Sequence, residues 1–305
     1  VKNWILKYFN ILKLTVKEFI SDNPMNYSSS IAFYLIFSLP AISIVTLFIA
    51  GAAYEDQVVQ QNMMEQIQLL FGAQSAETMK VIFANVNATG TTPVAKVFGV
   101  GMIIFSATTV FISLQNGLNS VWGIKSKPKR DVLKFFINRL LSFAMVISIG
   151  FLLLVSLVLN TFISVFNNLL TDWFSGITSY IIPGTNLILS LIIITVVFAM
   201  IYKILPDARV RWADVWVGAF VTTLLFLLGK YLIGFYLGTS SLSTTYGAAG
   251  SLVLLLIWVY YSSIIIFVGA EFTYVYSKEV GHQIRPDKNA VIVDVVERED
   301  GVVNN

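Results

Sequence analysis

Residues 251–276 read SLVLLLIWVYYSSIIIFVGAEFTYVY, an apolar run broken by a single charge, Glu271. As a helix this stretch reaches about 39 Å, longer than the ~30 Å hydrocarbon core of a bilayer. Soluble cores are built from shorter periodic stripes, so the run reads as a membrane span. Similar apolar blocks lie upstream at about 27–53, 94–121, 135–166, 187–204 and 214–238. The expected fold is therefore all-α and polytopic, with six transmembrane helices.

Composition supports this reading. Hydrophobic residues make up 56% of the chain and charged residues 12%, with a mean hydropathy of +0.77. A soluble domain carries about 25% charged residues, so too few are present to clothe a water-facing surface of this size. Cysteine is absent, which excludes disulfides, thiolate metal sites and thiol nucleophiles. The lone histidine, His282, lies in a polar stretch with no triad partners at hand, and no phosphate-cradling loop occurs. No enzymatic activity, cofactor, metal or nucleic-acid partner is expected; membrane lipids are.

Outside the spans three segments stand out. Residues 1–22 place Lys7, Asn10, Lys13 and Lys17 between Trp4, Ile5, Phe9, Leu12, Val16 and Phe19, as an amphipathic helix does. Such a helix either lies on the anionic inner leaflet or packs beneath the spans. No cleavable leader is expected there, since the lysines leave no compact apolar segment. Residues 54–92 carry apolar stripes, Val59–Met63–Ile67–Leu70 and Met79–Ile82–Phe83–Val86, and are expected as a small extracytoplasmic helical insertion within a membrane domain over 23–280. Residues 281–305 are polar and are expected to form a disordered cytoplasmic tail.

Positive charge sets the orientation. With both termini inside, 17 of the 20 lysines and arginines fall in cytoplasmic segments, against Lys80 and Lys96 outside and Lys230 within a span. The positive-inside rule then gives a multi-pass protein of the bacterial inner membrane with cytoplasmic ends.

Ionisable residues within spans are expensive and are functional candidates by default. Glu271 and Lys230 are the clear pair, but depth separates them. Lys230 lies roughly 24 Å from Asp214 at the inner end, and Glu271 roughly 8 Å from that side. Arg139, Arg209 and Arg211 are the expected ion-pair partners of Glu271. Glu271 reads either as a structural ion pair or as a proton- or substrate-linked group, and Lys230 as a snorkelling cation or one facing a polar cavity. Pro40 should kink the first span. Tyr246 belongs to the hydroxyl-rich loop 239–251, which is either a gate or an ordinary turn. Gly234 and Gly238 allow close helix contact within a subunit or in a homo-oligomer.

Several stretches together resemble the YihY/BrkB family of bacterial inner-membrane proteins. They are SIAFYLIFSLP (30–40), LPDARVRWADVWVGAF (205–220), GKYLIGFYLG (229–238), YGAAGSLVLLLIWVYYSS (246–263) and GAEFTYVY (269–276). The likeness extends over nearly all of 10–280. It implies the six-span layout and marks Pro40, Pro206, Trp212, Lys230, Tyr246, Gly247, Gly250, Glu271 and Phe272 as motif positions. Ideas about the family range from lipid movement to ion exchange, and its former ribonuclease label does not fit a chain without soluble catalytic apparatus. Two functions remain in play. One is a transporter or translocase of a lipid-like or small solute or ion substrate, without an ATP-binding motif. The other is a non-transporting envelope scaffold or assembly factor.

Overall fold

The computed structural model describes residues 2–35, 93–127, 178–239 and 250–293, with isolated helical positions at 64, 77, 80, 81, 84 and 140. The expected third span at 135–166, nearly all of the insertion at 54–92, and Pro40, Tyr246 and Arg139 lie outside the described residues. What is described is mostly helical: α1 (Lys2–Asp22), α2 (Pro93–Val121), α3 (Thr178–Ile204), α4 (Trp212–Thr239) and α5 (Gly250–Glu279). Two helical segments, Trp212–Ile233 and Val253–Glu279, are long and apolar enough to cross a membrane.

Helix α1 ends where Asn23 takes a positive φ of 44°, a conformation asparagine tolerates, just before Pro24. The Pro24 carbonyl then accepts from the amides of Tyr27 and Ser28, and the chain resumes as helix over 25–35. One stripe of α1 is packed: Ile11 and Thr15 are buried, and Ile11 joins Phe272 and Val275 of α5. A second stripe, Leu6, Phe9, Leu12, Val16 and Ile20, stays 53–69% exposed, with the exposed Lys13 and Lys17 beside it. The helix is packed and amphipathic at once.

Helices α4 and α5 run antiparallel in close register. A β-carbon at Gly218 would collide with Thr273, one at Gly269 with Thr222, and one at Gly229 with Tyr261 and Ile265. Small residues facing larger ones let two backbones approach this closely. Hydroxyls tie in α3. Tyr202 donates to the Ile266 carbonyl (2.7 Å), and its oxygen lies 2.9 Å from Thr222 Oγ1. Thr195 Oγ1 lies 3.0 Å from Thr223 Oγ1. Helix α5 is central, contacting α1, α2 and α4, and residues 269–273 are all buried.

The turns at one end of the bundle are fastened by short strands that the all-α reading did not include. β1 (Ile124–Ser126) follows α2, whose exit is turned by Gly123 at a φ of 60°. β2 (Ala208–Arg209) lies between α3 and α4. After α5 come β3 (Arg285–Pro286), antiparallel to β2, and β4 (Ala290–Ile292), antiparallel to β1. Residues 281–293 therefore do not form the disordered tail expected of their polarity: their amides and carbonyls find partners in the turns after α2 and α3. His282 is likewise held rather than loose. Its amide donates to Asp214 Oδ2 at 3.1 Å, and its Nδ1 lies 3.7 Å from the same oxygen.

These ladders bring together the ends of α2, α3 and α5 and the start of α4. Lys125, Lys127, Arg209, Arg211, Arg285 and Lys288 consequently cluster at one end. Lys203 reinforces the α3–α4 turn, donating to the Val210 carbonyl with its ammonium 5.5 Å from the centre of the Trp212 ring.

Candidate functional site

Glu271 sits in the buried stretch of α5 with no solvent exposure. Its neighbours are held in place from several directions. Trp122 of α2 donates its indole N–H to the Ala270 carbonyl at 3.0 Å, and Thr273 donates back to the Gly269 carbonyl at 2.7 Å. Neither carboxylate oxygen of Glu271 has a hydrogen-bond partner among the described residues. Buried polar groups are nearly always paired, so an orphaned carboxyl group in a packed interior calls for an explanation.

The charged groups that act on Glu271 come from α1: Asp22 first and Glu18 next. Both are acidic. They continue the packed stripe of that helix, since Ile11, Thr15, Glu18 and Asp22 recur at steps of four, three and four residues. Burial, and then the Glu18 charge, push the Asp22 carboxyl up to about 6. Among the described residues no group of three carboxylates or histidines is arranged to hold a metal ion.

Of the expected arginine partners, the two that lie among the described residues are engaged elsewhere or exposed. Arg209 is carried by β2 and pairs with Asp287, just past its partner strand β3, at 2.9 Å. Arg211 precedes α4 and is exposed. The expectation that either neutralises Glu271 is corrected by this placement. Asp214, in the first turn of α4, is buried and serves the chain as the acceptor for His282. Lys230 is half-buried on α4. The facing pairs Gly218–Thr273 and Gly229–Tyr261 place Glu271 level with about Phe220. Lys230 is then about ten residues away, roughly 15 Å along the helix axis. The structure thus gathers Glu271 with Glu18 and Asp22, and leaves Lys230, Asp214, Arg209 and Arg211 apart from it. Nothing local in the sequence marks Glu18 and Asp22, which read as the polar end of an amphipathic helix until α1 is packed against α5.

Residues 15–292 match the family described as virulence factor BrkB. The chain belongs to that family. Its curated relatives include a UPF0761 membrane protein of Legionella pneumophila, 26% identical over 95% of this chain and 66% of the relative. The UPF0761 membrane protein YihY of Salmonella typhimurium is 31% identical over 56% of each chain. The ribonuclease-like protein YfkH of Bacillus subtilis is 29% identical over 57% of this chain and 62% of its own length. The matches thus span between half and two thirds of these relatives. No solved structure matches this BrkB-family chain. The family and its relatives identify a membrane protein, which is the setting in which an unpaired interior carboxyl group has to be understood.

Proposed function

We propose that this BrkB-family membrane protein is a six-span inner-membrane transporter that moves a small ion, solute or lipid-like substrate without an ATP-binding motif. The observation that carries the reading is Glu271, fully buried on the central helix with both oxygens unpartnered among the described residues. A structural ion pair would supply a cation to it. An ionisable group kept within a span, with no cation beside it among the described residues, supports a pathway or a coupling site.

The topology follows from the basic end of the bundle. Lysines and arginines in the turns after α2 and α3 and after α5 favour the cytoplasm for that face. Helix α1 then lies in the inner leaflet, with Leu6, Phe9, Leu12, Val16 and Ile20 in the acyl region and Lys13 and Lys17 among anionic headgroups. In this reading the protein catalyses no covalent chemistry.

The test is reconstitution of the purified chain in proteoliposomes, with a trapped pH dye, cation-sensitive dyes and fluorescent lipid as parallel reporters. Movement of at least one of these, lost in Glu271→Gln at equal incorporation, is the expected result. Liposomes that match empty vesicles with every reporter would overturn the proposal.

A further inference from the structure

We propose that Glu18, Asp22 and Glu271 form a proton-binding site at the contact between α1 and α5. The inference deepens the transport reading and rests on it for its purpose, though not for its test. Helix α1 packs on α5 through Ile11 against Phe272 and Val275, and Glu271 is fully buried on α5 with no donor to either oxygen among the described residues. Glu18 and Asp22, half-buried on the packed face of α1, add negative charge toward it. Charge in a packed interior must be neutralised or hydrogen-bonded. Here the surrounding groups add negative charge instead.

Among the described residues the charged groups that act on Glu271 are Asp22 and Glu18, while Lys7, Lys13 and Lys17 of α1 lie on its exposed side. Helix α1 presents Glu18 and Asp22, with Tyr8 further along acting on Tyr276. From α2 the contact is Trp122, uncharged and bonded to the Ala270 carbonyl. Tyr202 of α3 has its hydroxyl engaged with Ile266 and Thr222. Helix α4 contributes Asp214 at the basic end, held against His282, and Lys230 about ten residues away from the level of Glu271. On α5 itself Tyr274 and Tyr276 flank the site. None of these is a cation adjacent to Glu271, and no metal-holding cluster occurs among the described residues. A proton fits where a larger ion lacks ligands: it forms one O–H bond on a carboxyl oxygen, taken from hydronium, which leaves as water. Asp22, at about 6, places part of this cluster's titration near neutrality. Releasing the proton leaves three like charges across one helix contact, and their repulsion loosens α1 from α5.

The experiment is thermal unfolding of the purified full chain in detergent, followed by tryptophan fluorescence from pH 5.5 to 8.5 in sodium, potassium and choline buffers. Wild type is expected to lose stability as pH rises, equally in all three buffers. Glu271→Gln, neutral and of the same shape, should flatten the profile. Glu18→Gln with Asp22→Asn, on the more exposed helix, should retain a titration displaced by about one pH unit to lower pH. A wild-type profile unchanged by either variant overturns the proposal. So does stabilisation by sodium or potassium at fixed pH. Proton binding and transport are separable here: a chain that titrates as described yet moves nothing in proteoliposomes refutes the transporter and leaves the site standing.

Discussion

Thr222 of α4 and Gly269 of α5 meet with no space for a β-carbon between them. Tyr202 of α3 reaches the same point, its hydroxyl 2.9 Å from Thr222 Oγ1. Three helices are thus fixed at one position a short distance from Glu271. Gly269→Ala forces the hydroxyls apart and is expected to destabilise the folded chain by about 1–3 kcal/mol, in line with overpacked interiors. Thermal unfolding in detergent measures this. The double variant with Thr222→Ala should recover part of the loss, and no recovery would mean that the crowding lies elsewhere.

Trp122→Phe keeps an aromatic ring between α2 and α5 and removes the bond to the Ala270 carbonyl. The expected loss is about 1 kcal/mol, typical of one net hydrogen bond. Titration with a denaturing detergent should show a lower midpoint. An unchanged midpoint would show that the indole N–H does not tie the two helices.

Asp22 makes the docking of α1 pH-dependent. Its carboxyl titrates at about 6 in the fold against an ordinary 3.8, so the folded chain holds that proton more tightly than the unfolded chain does. The resulting stability is complete below about 3.8 and is lost as pH rises through 6. Tryptic cleavage after Lys13 and Lys17 should therefore be slower at pH 5.5 than at 7.5, relative to Asp22→Asn at the same two pH values. Equal ratios would count against it.

Asp287 behaves in the opposite sense. The Lys288 backbone N–H, followed by Arg209, holds its carboxyl below the usual range. Its contribution is present above 3.8 and falls away on acidification through the lowered value. Both side chains are more than a third exposed, at 59% and 50%. Solvent screening limits the pair to under about 1 kcal/mol, and Asp287→Asn should cost less than that at pH 7, and less again in high salt. A larger loss at neutral pH would point to a role beyond the turn.

Because the chain has no cysteine, single labels can be placed at will. Spin labels at Phe9, Val16 and Ile20 in vesicles of mixed anionic lipid are expected to be accessible to oxygen and shielded from water-soluble relaxants. A label at Ile11, in the packed stripe, should be immobile. Water accessibility at Val16 equal to that at Lys17 would remove α1 from the leaflet.

The helices were legible because their signals are local. The span at 251–276 and the amphipathic spacing of 1–22 each lie within a few turns of sequence. The site was only half legible. Glu271 declared itself as a lone charge in an apolar run, whereas Glu18 and Asp22 matter only once α1 is laid against α5, a pairing that no periodicity specifies. Arg209 is misplaced by the linear map for the same reason: it shares a depth with Glu271 there, yet β2 turns it toward Asp287. The strands after α5 were hidden by their brevity and polarity, since runs of two or three residues leave no alternating pattern.

Residues 285–292 are synthesised after all five described helices, and they knot together turns that were made roughly 80 and 165 residues earlier. The basic end of the described bundle thus stays unfastened during synthesis until α5 has been delivered. A ribosome stalled before Arg285 should hold a protein whose five described helices have been made and whose basic end is still unlatched.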